Sequence, residues 1–81
     1  MIRILLVEDD KTIALGMEYA LQQEGYSTTV CYNAKTAKEK IQQESYDLAV
    51  LDVALPDGDG YELCRKIRER SDIPIIFVTA M

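Results

Sequence analysis

Strand-length apolar runs at residues 2–7, 26–32, 48–51 and 73–79 alternate with three stretches of helical spacing, and this alternation constrains the fold most. Three runs are nearly continuous in Ile, Leu and Val, as in strands covered on both faces of a parallel sheet. The run at 26–32 carries Ser27, Thr28 and Thr29 and fits an edge. Residues 12–24 stack Ile13, Met17, Ala20 and Leu21 on one helical face, and Gly25 follows as a C-terminal stop. Leu15 and Tyr19 fall on a different face of that helix and predict a second packing partner. Residues 34–44 offer a narrow stripe of Ala34, Ala37 and Ile41, and residues 60–70 set Leu63, Cys64 and Ile67 inward. The order β-α-β-α-β-α-β predicts a parallel α/β sheet with right-handed crossovers.

Eighty-one residues make at most one small domain, with 48% apolar and 28% charged residues, as in ordinary globular chains. No apolar run approaches the ~20 residues of a membrane-spanning helix. Acidic residues arrive too early for a signal peptide, so a cytoplasmic protein is expected. Fourteen acids against nine bases give a net charge of −5, which disfavours non-specific contact with nucleic acid or anionic membrane. Histidine is absent, and Cys31 and Cys64 form no Cys-x-x-Cys pair, which excludes a zinc site or a His-based triad. Both thiols read as small buried hydrophobes.

The polar residues that carry information stand at the strand ends. The first run ends in Glu8-Asp9-Asp10, the third in Asp52 and the fourth in Thr79. Open α/β sheets bind ligands outside the carboxyl ends of their strands, where the strand order reverses. If the first, third and fourth strands are neighbours, Glu8, Asp9 and Asp52 converge on one pocket. Crowded carboxylates raise one another's pKa or recruit a cation, and an all-oxygen donor set selects a hard ion such as Mg²⁺. Asp10 reads first as a helix cap. The Leu-Pro-Asp-Gly-Asp-Gly stretch at 55–60 is a turn by composition and shapes the surroundings of Asp52.

In combination these motifs resemble the receiver domain of bacterial two-component response regulators: Ile-Leu-Leu-Val-Glu-Asp-Asp at 4–10, Asp-Leu-Ala-Val-Leu-Asp at 47–52, the turn at 55–60, and Pro-Ile-Ile-Phe-Val-Thr-Ala at 74–80. The resemblance implies a flavodoxin-like (CheY-like) doubly wound sheet. It makes Asp52 the phosphoryl acceptor and Thr79 a hydroxyl that hydrogen-bonds the transferred group. Glu8, Asp9, Asp52 and the backbone carbonyl of Ala54 become the ligands of Mg²⁺ or Mn²⁺. The phosphodonor is a histidine kinase, and the chain is a phosphoacceptor, not a turnover enzyme. The Leu-Pro turn and the Val-Thr-Ala ending are most similar to regulators with a winged-helix DNA-binding effector. DNA contact therefore belongs to the parent protein and not to this chain.

A complete receiver has five strand-helix units, so the resemblance implies that residues 1–81 form an incomplete one. Its fourth helix, fifth strand with the active-site Lys, and fifth helix have no counterpart here. Impaired phosphotransfer is expected, and a bare edge at 73–79 together with the face of Leu15 and Tyr19 predicts self-association. Two other readings compete. A Mg²⁺-dependent phosphohydrolase with an Asp nucleophile commonly places a carboxylate two residues on, where Ala54 stands. A non-phosphorylated pseudo-receiver is disfavoured by the intact Glu8, Asp9 and Asp52.

Overall fold

The computed structural model describes residues 1–79; Ala80, which closes the fourth motif, lies outside them. The apolar runs become strands β1 (Arg3–Val7), β2 (Ser27–Cys31), β3 (Leu48–Asp52) and, after a short hairpin, β6 (Ile75–Val78). They form one parallel sheet in the order β2-β1-β3-β6, with the polar β2 at an edge as its composition predicts. Each strand is a residue or more shorter at its amino end than its apolar run, except β3, which starts where expected and extends to Asp52.

Helix α1 (Lys11–Gln23) covers one face of the sheet, over Ile4, Leu6 and Val50. Helices α2 (Ala34–Gln43) and α3 (Gly60–Arg68) cover the other, over Leu5, Val7, Ala49 and Leu51. Successive side chains of a strand point to opposite faces, so β1 and β3 supply both cores at once and must be apolar throughout. The chain crosses from β2 past β1 to β3, which puts the reversal of strand order between β1 and β3.

Helix α1 departs from the expected stripe. Ala14 is fully buried and Met17 and Leu21 pack on the sheet, whereas Ala20 is exposed and Ile13 is 44% exposed. The spacing 14, 17, 21 is itself a helical stripe, rotated from the one centred on Ile13 and Ala20, and the small Ala14 lets the helix sit close to the sheet. The helix ends as Gly25 predicts. Gly25 has φ of +85°, its N–H donates to the Gln22 carbonyl and the Tyr26 N–H donates to that of Leu21, a Schellman cap with Tyr26 and Leu21 in one apolar cluster.

The turn after Asp52 contains a feature that composition does not reveal. Strands β4 (Ala54–Leu55) and β5 (Gly58–Asp59) pair antiparallel as a two-residue hairpin, with Pro56 and Asp57 at its tip. Asp59 then caps α3 by accepting the Glu62 N–H at 2.8 Å.

Candidate functional site

Glu8 and Asp52 lie at the carboxyl ends of β1 and β3, the adjacent strands flanking the reversal of strand order. The Glu8 N–H prolongs the ladder by donating to the Cys31 carbonyl at 3.0 Å, so the side chain leaves from ordered backbone. Glu8 is 4% exposed and Asp52 3%, and the chain then turns into solvent at exposed Asp9. One carboxylate oxygen from each of Glu8, Asp9 and Asp52 lies within 4.8 Å of the others.

Backbone donors hold two of these acids. Glu8 Oε2 accepts the Asp10 N–H at 3.1 Å, and Asp52 Oδ1 accepts the Ala54 N–H at 3.2 Å. Burial pushes the Glu8 carboxyl above its usual value; the Asp10 N–H opposes this, and the neighbouring Asp52 and Asp9 add to the rise. No base answers the cluster among the described residues, whose ion pairs join Arg3 to Glu44 and Lys38 to Glu62. Two buried carboxylates facing a third therefore call for a cation, and hard oxygen donors with no His or Cys fit Mg²⁺. Asp10 plays the other role: its carboxylate accepts from the Thr12 and Ile13 N–H groups at 2.9 and 3.1 Å and caps α1.

Ala54 and Thr79 stand just beyond the carboxyl ends of β3 and β6. Ala54 opens the hairpin two residues beyond Asp52, and the hairpin returns to β3 where the Gly60 N–H donates to the Val53 carbonyl at 2.9 Å. Only glycine allows that approach, because a Cβ on residue 60 would stand 2.4 Å from the Asp52 carbonyl oxygen. Thr79 is exposed and follows Val78, which pairs with Asp52 across β3 and β6.

One residue of this region is not recognisable from sequence pattern. The exposed Asp57 carboxylate accepts the Ala34 N–H at 2.7 Å and the Lys35 N–H at 3.0 Å, at the start of α2. The Ala34 N–H, then the Lys35 N–H, hold its carboxyl below the usual aspartate value. Locally Asp57 reads as an ordinary turn residue, and its partners lie more than twenty positions away, so no short-range signal marks it.

Known proteins are similar to this chain in sequence and in fold. The family model described as response regulator receiver domain matches residues 4–81. Response regulator ArlR of Staphylococcus saprophyticus is 41% identical over 80 residues, which are 99% of this chain and 36% of ArlR. The chain thus spans about a third of that relative's length. The Thermotoga maritima response regulator TrrA, solved in complex with Mg(2+)-BeF, superposes with a TM-score of 0.93 at 36% identity, over 100% of this chain and 71% of that one. A CheY-like receiver domain protein from Methanospirillum hungatei gives 0.93 at 34% identity, over 100% of this chain and 66% of the other.

Proposed function

Because the chain belongs to the response regulator receiver domain family, we propose that it accepts a phosphoryl group on Asp52 from the phosphohistidine of a histidine kinase. The observation that carries this reading is the convergence of Glu8, Asp9 and Asp52 at the strand-order reversal. An Asp52 carboxylate oxygen forms the new bond to phosphorus while the bond from phosphorus to the donor nitrogen breaks, leaving the imidazole to the kinase. Glu8, Asp9, Asp52 and the Ala54 carbonyl would hold Mg²⁺, or Mn²⁺, which would neutralise charge on the transferred group. The Thr79 hydroxyl donates to a phosphoryl oxygen once Asp52 is modified. Such a role belongs in the cytoplasm, and no described helix is long and apolar enough to cross a membrane.

The protein that carries this receiver is read as a transcriptional regulator with a winged-helix effector, on the likeness of its Leu-Pro turn. Residues 1–81 overlap 71% of TrrA. The exposed Ile76 and Phe77 on β6, at the sheet edge among the described residues, support self-association of this chain.

Incubation with Mg²⁺ and acetyl phosphate, or with a beryllofluoride mimic, tests the acceptor. Mass spectrometry or NMR is expected to place the modification on Asp52 and to find none in Asp52→Asn. Modification that persists in Asp52→Asn refutes the assignment.

A further inference from the structure

Helix α2 has a narrow apolar stripe, Ala34, Ala37 and Ile41, yet both of its ends are fastened. At its start the Asp57 carboxylate takes the Ala34 and Lys35 N–H groups. Midway, Lys38 pairs with Glu62 of α3. At its end the Arg70 guanidinium donates to the Ile41 and Gln42 carbonyls at 3.3 and 3.1 Å. An acid at the amino end and a base at the carboxyl end both complement the helix dipole. Asn33 already caps the helix locally through the Thr36 N–H, so Asp57 is an additional tether from a distant segment.

That segment is the β4–β5 hairpin, whose first residue is Ala54. The hairpin is fixed at its base by the Gly60 to Val53 bond and at its tip by Asp57. We infer that Asp57 is a positioning residue for the metal site: by clamping the hairpin tip to the start of α2, it sets where the Ala54 carbonyl points. The inference rests on the proposed binding of Mg²⁺ by Glu8, Asp9, Asp52 and Ala54. It adds a coupling between that site and a helix that contributes no ligand to it. Coupling of this kind is reciprocal, so metal binding must also tighten the start of α2.

Two measurements on the 81-residue chain test it: Mg²⁺ titration by calorimetry, and amide hydrogen exchange at Ala34 and Lys35 with and without Mg²⁺. In the wild type, Mg²⁺ is expected to slow exchange of both amides. Asp57→Ala is expected to weaken Mg²⁺ binding about three- to tenfold, below the loss typical of groups that touch a metal ligand directly. It is also expected to abolish the metal-induced protection. Asp57→Asn, which keeps an acceptor of the same shape, restores part of both. If Asp57→Ala speeds exchange at α2 but binds Mg²⁺ within twofold of wild type, Asp57 only caps the helix and the inference falls alone. If the wild type binds no Mg²⁺, the metal reading falls first and takes this inference with it.

Discussion

Glu8 carries an electrostatic cost that shapes how the chain responds to pH. Its carboxyl sits above the ordinary value of 4.5, mainly through burial and secondarily through Asp52 and Asp9. The folded state therefore holds this proton more tightly than the unfolded one. Its stabilising effect is present at low pH and is lost as pH rises from 4.5 through the folded value. In EDTA at neutral pH, Glu8→Gln is thus expected to show a higher urea midpoint than wild type, the gap closing towards pH 4.5. Added Mg²⁺ is expected to raise the wild-type midpoint more than that of Glu8→Gln, because the cation offsets the cost of the buried charge and of its acidic neighbours. Asp57 has the opposite sign: its value lies below 3.8, so its contribution is present above that pH and fades only in stronger acid. Gly60→Ala tests packing at the same place. A methyl at 2.4 Å from the Asp52 carbonyl must displace backbone, an overpacking expected to cost about 1–3 kcal/mol in urea denaturation and to weaken Mg²⁺ binding.

Among the elements, α3 and the Schellman end of α1 follow directly from residue pattern, and the stripe of α1 does not. Leu63 and Ile67 are buried where their spacing puts them, and Gly25 stops α1 with the one positive φ among the described residues. Gly25→Ala is expected to cost about 1 kcal/mol, read as a lower urea midpoint with Mg²⁺ binding unchanged. The stripe of α1 was ambiguous because alanine has too little apolar area to declare a face: Ala14 and Ala20 look alike in sequence, and only docking on β1 and β3 buries one of them. The acids at the strand ends were legible because a carboxylate closing a buried apolar strand needs a partner or a task. The reach of Asp57 to α2 was not, since it joins segments more than twenty positions apart in sequence.

The whole molecule presents unequal edges. Strand β2 is mixed in polarity, whereas β6 exposes Ile76 at 50% and Phe77 at 38%. Phe77 leans on Tyr61 with ring centroids 5.0 Å apart, and that aromatic pair remains largely open to solvent. Leu15 and Tyr19 on α1 are more exposed still, so the second packing partner predicted for them is not supplied by the described residues. Light scattering over a concentration series is expected to show mass rising with concentration, and Ile76→Lys is expected to suppress the rise. A monomer mass at every concentration contradicts self-association.

The strand order has a consequence for how such a sheet is assembled. Strand β2 joins one side of β1, β3 joins the other, and β6 joins the free side of β3. Among the described strands, none has to be inserted between two that are already paired. A chain leaving the ribosome amino end first can therefore grow its sheet by successive additions at an open margin, without undoing earlier pairing. In that order Glu8 and Asp9 come with β1, and Asp52 meets them once β3 pairs with it. In that order of addition the acidic cluster is complete with the third strand, before β6 is added.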